Sequence, residues 1–285
     1  MTGAAGPITV YTANSGSGGI FRTAARSVRD IYTYRYLIWT LFSRDFKAQF
    51  KQSILGYFWT ALGPLLGVFS FVFMNFMGIL NPGATAVPYP IYAFVGVSLW
   101  GFLTSTIGIM SGGLNAQSDL IMRTNIPKIA LAASALASIV YGTLVNLILI
   151  ALFVLAFRMP VSWASLAFPI LILPLIILGL GIGLAVSVIG IIAKDIGRLV
   201  SQFFTLMMFL TPVIYVSDHI HNHILHALIM ANPLTYLVEL PRAVLLAQPT
   251  AYWPQYLGAS AACCVVLLIG VKVFDMVQDL VAERL

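Results

Sequence analysis

The sequence predicts an all-α integral membrane protein with six transmembrane helices, an N-terminal amphipathic interface helix and short re-entrant helices between spans five and six. Three observations predict it. Only 8% of the residues are charged against 60% hydrophobic, with a mean hydropathy of +0.96. Soluble domains carry about a quarter charged residues, so a surface wetted all round is excluded. Long charge-free apolar runs alternate with short polar turns, and the basic residues gather at the ends of those runs.

The stretch 44–66, RDFKAQFKQSILGYFWTALGPLL, displays the pattern in small. Arg44, Asp45, Lys47 and Lys51 charge its first third, Gly56 interrupts, and no charge follows from Tyr57 to Leu80. A helix over 57–80 extends about 36 Å at 1.5 Å per residue, enough for a hydrocarbon core of roughly 30 Å. Further spans are expected at about 91–111, 131–157, 166–192, 199–216 and 255–274.

Ahead of the first span, Val28 to Phe50 reads as helix. Ile31, Leu37, Ile38, Leu41 and Phe42 share one side, with Arg29, Arg35, Arg44 and Lys47 mostly elsewhere. Such a helix lies in the headgroup plane; the alternative is a short soluble helix packed on the rest of the chain. The first residues are small, polar and uncharged, without the basic start and apolar centre of a signal peptide. The expected organisation is a flexible cytoplasmic tail over 1–27, the interface helix over 28–56 and a six-span domain over 57–285.

All but two of the 15 Lys and Arg residues fall on one side of this topology; Arg158 and Arg242 fall on the other. The positive-inside rule then places both termini in the cytoplasm, in a multi-pass protein of the inner membrane. The net charge of +6 sits at span ends, where anionic lipid headgroups attract it, and nowhere forms a nucleic-acid patch. On the outer side, 217–254 is apolar yet cut by Asn232-Pro233 and Pro241 into pieces too short to span. Two short helices dipping into the outer leaflet fit it.

Small residues recur four apart at Gly179, Gly183 and Ser187, and at Gly63 and Gly67, a spacing that lets helices approach closely within the chain or across a dimer. No Asp, Glu, Lys or Arg lies at a span centre, which weakens an ion-coupled carrier. No G-x-x-x-x-G-K-[ST] is present, so ATP is not bound through a P-loop. Cys263 and Cys264 are adjacent and offer no disulfide framework. His219, His223 and His226 share a helical face near His221, either as a metal site or as a polar interfacial face, with Asp218 as the helix cap. The aromatics Tyr57, Trp59, Trp100, Tyr141 and Tyr215 are belt or packing residues, or line a conduit whose rings stack on sugars.

Several of these features together resemble the membrane subunit of type-2 ABC exporters, in the branch that moves polysaccharides and polyol phosphates. They are Arg44-Asp45, Lys47, Lys51, Ser53, Leu55-Gly56, Trp59 and Pro64; Ile126-Pro127-Lys128; Lys194-Asp195-Ile196 with Arg198; Thr211-Pro212-Val213-Ile214-Tyr215; and Asn232-Pro233-Leu234-Thr235 with Glu239 and Arg242. The likeness is strongest to O-antigen exporters, with capsule and teichoic acid exporters as neighbours.

The resemblance implies a homodimer bound to two copies of a cytoplasmic ATPase. ATP and magnesium then belong to that partner, and this chain carries no cofactor, metal or catalytic residue. It implies ATPase coupling through Arg44, Asp45, Lys47 and Lys51 and through the loop holding Asp119, Arg123 and Lys128, where headgroup contact is the alternative role. It implies a polyprenyl-linked polysaccharide whose pyrophosphate approaches Arg26, Arg29 and Arg35, and a channel among membrane lipids that takes no nucleic acid. A membrane-embedded glycosyltransferase is the competing class, and it would depend on Asp45, Asp119, Asp195 or Glu239.

Overall fold

The computed structural model describes residues 20–50, 58–113, 128–193, 195–217, 220, 222–250 and 252–284. Among them every regular element is helical: α1 (Ile20–Thr33), α2 (Arg35–Phe50), α3 (Phe58–Phe76), α4 (Tyr89–Gly112), α5 (Lys128–Ala156), a 3-10 turn at Trp163–Ala167, α6 (Phe168–Leu171), α7 (Leu173–Ile192), α8 (Asp195–Met207), α9 (His223–Ala231), α10 (Pro233–Leu245) and α11 (Trp253–Arg284).

α4 is the centre. It is apolar all round because it is covered all round, by α3, α5, α7, α8 and α10. Ile91, Phe94, Leu99 and Leu103 are fully enclosed, and Phe94 stacks on Phe153 of α5 with ring centroids 4.0 Å apart. Within the membrane-length helices some polar side chains turn to each other or to their own backbone: Ser98 donates to Asn146 Oδ1 at 3.2 Å, and Thr106 to the Phe102 carbonyl.

α7 packs against α4 on one side and α11 on the other, and its small residues make both contacts close. A Cβ at Gly179 would stand 2.7 Å from Thr106 Cβ, and one at Gly183 2.6 Å from Met110 Cβ. Across the other face, a Cβ at Gly181 would stand 2.7 Å from Leu267 Cα, and one at Gly270 only 2.1 Å from the Gly181 carbonyl oxygen. The four-residue stripe of α7 is therefore a contact within the chain. Gly63 has open space around it, and Gly67 meets only Val97 at 3.9 Å.

Among the described residues five helices are long and apolar enough to cross a membrane, and the bent pair α9–α10 raises that to as many as six if it counts as one span. Four expected limits move for local reasons. The first span ends at Phe76, not 80, because Gly78 turns left-handed at φ +71° and the Ile79 and Leu80 amides close back on the Met74 carbonyl. The fourth begins at Trp163 and breaks at Ile172, with Pro169 and Pro174 in the first turns of α6 and α7, where a missing N–H costs nothing. The run expected over 199–216 is helical only over Asp195–Met207, about 20 Å at 1.5 Å per residue. Pro212 disfavours helix at Thr211, and the irregular segment beyond is buried at Thr211, Val213 and Ile214. The last helix runs on past 274 to Arg284, with Lys272 and Asp275 paired at 3.9 Å on its flank.

The amphipathic helix expected from Val28 begins earlier, at Ile20, and is two helices meeting at Tyr34. The turn hydrogen bonds continue through the junction, Tyr34 to Asp30 and Ile38 to Tyr34, so it is a bend and not a loop. Pro241, expected to cut the outer segment, lies inside α10; the helix gives up one backbone bond and continues to Leu245.

Candidate functional site

The chemistry-bearing side chains gather at the two ends of the helical bundle. At the end where α3 begins and α4 ends, α2 lies across α5, with Phe46 edge-on to Tyr141 at 4.6 Å. Beneath them a hollow of about 370 Å³ is walled by Thr60 and Pro64 of α3, Phe102 and Ser105 of α4, and Ser138 and Asn146 of α5. It is apolar with a few hydroxyls, the composition of a site for a hydrocarbon group carrying a polar head.

α1 and α2 carry the expected charges outward. Arg26, Arg29 and Arg35 are exposed, as are Arg44 and Lys47. Arg35 packs over the rings of Tyr32 at 4.6 Å and Tyr36 at 5.0 Å, and Trp39 is exposed beside them. Exposed rings interleaved with guanidinium groups suit a headgroup layer. Burial pushes the Asp30 carboxyl above the ordinary carboxylate range, while Arg26 and Arg29 pull against it. Arg44 and Asp45 are joined at 2.8 Å and both remain accessible, so this ion pair by itself contributes little to folding. Lys128 is the first residue of α5; Lys51, Tyr57, Asp119 and Arg123 lie outside the described residues.

The described conduit aromatics lie in different settings. Trp59 is exposed at the start of α3. Trp100 is only 4% exposed and faces Phe204 of α8 inside the protomer. Tyr215 donates to the Phe209 carbonyl at 2.9 Å, which fixes the irregular chain after α8.

At the opposite end, where α4 and α11 begin, the sequence hid a constellation. Arg242 of α10 is 3% exposed. Its Nη1 donates to the Val213 carbonyl at 3.0 Å, its Nη2 lies 3.9 Å from Glu239 Oε1, and its guanidinium sits 4.0 Å over the Tyr92 ring. Ser217 donates to the same Glu239 oxygen at 3.1 Å, and Tyr92 Oη donates to the Tyr215 carbonyl at 3.0 Å. The cation thus offsets burial with a carboxylate, a carbonyl and a ring. Gly96 makes room for it: a Cβ there would lie 2.0 Å from the Val213 oxygen and 3.2 Å from Arg242 Nη1. Glu239 and Arg242 could be paired from their i,i+3 spacing in an apolar segment; the parts of Tyr92 and Gly96 had no sequence signal.

The constellation is held by the α9–α10 corner, a bend of 81°. Asn222 caps α9, accepting from the Ile224 and Leu225 amides, in the place expected of Asp218, which lies outside the described residues. Thr235 donates to the Ile229 carbonyl and Tyr236 to the Met230 carbonyl, satisfying the end of α9. Asn232 accepts from the Leu234 amide at 3.0 Å and donates through Nδ2 to Thr211 Oγ1 at 3.0 Å. Asn232→Ala should therefore cost about 1–2 kcal/mol, a cap loss together with the lost bond to Thr211 in the irregular chain after α8. It should appear as an earlier unfolding midpoint in a denaturing-detergent titration of the solubilised protein.

His223 and His226 fall on α9, while His219 and His221 lie outside the described residues. Among the described residues no three His, Cys, Asp or Glu side chains gather for a metal.

A model of the ABC-2 type transporter family matches residues 36–246. Three proteins described as O-antigen export system permease protein RfbA are similar to the chain. The one from Myxococcus xanthus is 25% identical over 262 residues, covering 91% of this chain and 99% of its own length. One from Klebsiella pneumoniae is 24% identical over 267 residues, covering 91% and 100%. Another from Klebsiella pneumoniae is 26% identical over 206 residues, covering 71% and 77%.

Proposed function

The chain belongs to the ABC-2 type transporter family, as a membrane permease subunit and not an enzyme, and on that premise we propose that it forms the channel of an exporter for a lipid-linked polysaccharide of the O-antigen kind. The observation that carries this reading is the near end-to-end similarity to permeases of O-antigen export systems, in a chain without a P-loop or an ionisable group at a span centre. A conduit without its own engine takes its energy from a separate ATPase, which brings ATP and magnesium.

In this reading two copies pair in the inner membrane with all termini cytoplasmic. The exposed apolar faces of α3 (Phe69, Phe73, Phe76) and α8 (Leu199, Phe203, Leu206) suit a second copy. The short α8 and the bent α9–α10 pair then complete six crossings and a re-entrant element. Exposed Arg26, Arg29 and Arg35 meet a pyrophosphate headgroup as it nears the membrane. The hollow beneath Phe46 and Tyr141 suits the hydrocarbon of the same lipid. Arg44, Asp45 and Lys47 project from α2 toward an ATPase cleft, and closure of that cleft biases the position of α2.

Two experiments test it. Host cells lacking the chain should accumulate lipid-linked polymer inside, and its sugars distinguish O-antigen from capsule and teichoic acid; unchanged polymer synthesis and export would dispose of the reading. Reversing the exposed pair, Arg44→Asp with Asp45→Arg, should leave folding within about 0.5 kcal/mol. It should lower glycan-stimulated ATP hydrolysis of the complex about tenfold, the equivalent of roughly 1.4 kcal/mol of docking. Full hydrolysis in the reversed variant would remove α2 from the coupling path.

A further inference from the structure

A second cavity, of about 300 Å³, opens beside the Arg242 constellation, between the α3–α4 connection, α10 and the chain leading into α11. Its walls include Tyr92, Ser217, Glu239, Arg242, Gln248 and Tyr252. This volume is at the small end of ligand sites and accommodates a single ring-sized polar group.

Three properties say which group. The first is charge. Glu239 and Arg242 are the charged residues of the lining, they face each other at 3.9 Å, and the guanidinium is already engaged by the Val213 carbonyl and the Tyr92 ring. The lining is therefore neutral as a whole, and an anion would meet the Glu239 carboxylate with no spare cation to balance it. The second is an unmet donor. Gln248 Nε2 is buried and has no hydrogen-bond partner among the described residues, a state that a folded protein avoids unless something accepts from it. The third is the combination of a carboxylate acceptor and an amide donor with two tyrosine walls. Hydroxyls of a sugar ring both donate and accept, and the apolar face of the ring covers an aromatic surface.

We propose that this cavity is a subsite for one neutral sugar unit of the transported glycan, with Glu239 accepting from its hydroxyls and Gln248 Nε2 donating to one of them. The proposal rests on the polysaccharide reading above and adds a place on this chain where the polymer is held, at the end of the bundle away from α1 and α2. Uronic and other acidic sugars are disfavoured there for the reason given for anions.

The test uses the full chain with its partner ATPase in lipid nanodiscs. Thr250, in the same lining, is replaced by cysteine in a background where Cys263 and Cys264 are alanine, and its alkylation by a water-soluble maleimide is timed. The probe is the polymer that accumulates in cells lacking the chain, freed of its lipid by mild acid and cut to short oligosaccharides; inorganic phosphate is the anionic comparator. The oligosaccharides should slow alkylation at least about fivefold at saturation and phosphate should not. Gln248→Leu should raise the half-protecting concentration about tenfold, because the apolar replacement cannot donate. Protection by phosphate, no protection by the oligosaccharides, or equal protection in Gln248→Leu would each overturn the proposal. Failure of the exporter reading looks different: no polymer accumulates in the deleted cells, and that result overturns the glycan subsite together with the reading it rests on.

Discussion

Arg242→Met is expected to yield a protein whose thermal unfolding in detergent falls by about 10 °C, or that fails to leave the membrane as a single species. Removing the guanidinium takes the cation from beside the Glu239 carboxylate in a nearly closed site, where Ser217 still donates to it, deprives the Val213 carbonyl of the Arg242 donor, and removes the cation from the face of Tyr92. Breaking a buried pair from one side costs about 3–5 kcal/mol, and the lost carbonyl bond overlaps with that sum and is not added to it. The companion variant decides the cause. Arg242→Met with Glu239→Leu removes both charges and should recover part of the loss, since two apolar groups can replace a buried pair at little cost. If the double variant is as unstable as the single one, the damage lies in packing around Gly96 and not in the Glu239 carboxylate.

Gly270→Ala should be among the most disruptive of the glycine-to-alanine changes in the membrane helices, with Gly181→Ala beside it. In an open helix position the exchange is favourable by about 1 kcal/mol, because alanine has less backbone freedom to lose. Gly258 and Gly190 have nothing within 4 Å of an added Cβ, so alanine there should be neutral or slightly stabilising. At Gly181 the new methyl meets the Leu267 backbone at 2.7 Å, and at Gly270 it meets the Gly181 carbonyl at 2.1 Å. A side chain could swing aside; a helix backbone cannot, so α7 and α11 must separate along their length. Overpacking of this kind costs about 1–3 kcal/mol and reaches the upper end where backbone meets backbone. Size-exclusion profiles of the four variants after solubilisation check the order, and a stable Gly181→Ala would mean that the α7–α11 contact is looser than the structure has it.

The helices that could be read from the sequence are those whose stability depends on one requirement, that every backbone group in lipid be bonded within its own segment. That requirement writes long apolar runs into α3, α4, α5, α7 and α11. It leaves no such mark on α8, where an apolar stretch continues after the helix has ended because Pro212 forces an irregular chain that neighbouring helices cover. Hydropathy reports burial from water and is blind to whether lipid or protein does the burying. Pro241 misleads in the other direction, since a helix packed on several sides tolerates one missing bond. The exposed charges of α2 were legible from pattern alone. The outer constellation was not, because Tyr92, Gly96, Val213 and Arg242 are brought together only by the corner after α9.

The central place of α4 has a consequence for how the chain is made. Ribosomes deliver α4 before α5, α7, α8 and α10, the helices that later enclose it. Until those arrive, Ser98 has no Asn146 to bond and the Gly96 notch has no Arg242 beside it. The newborn segment must wait in the bilayer, or in the shelter of the insertion machinery, with its future interior turned toward lipid. Biogenesis of this protein is therefore paced by its second long helix, whose final surroundings are complete only when α10 has been synthesised.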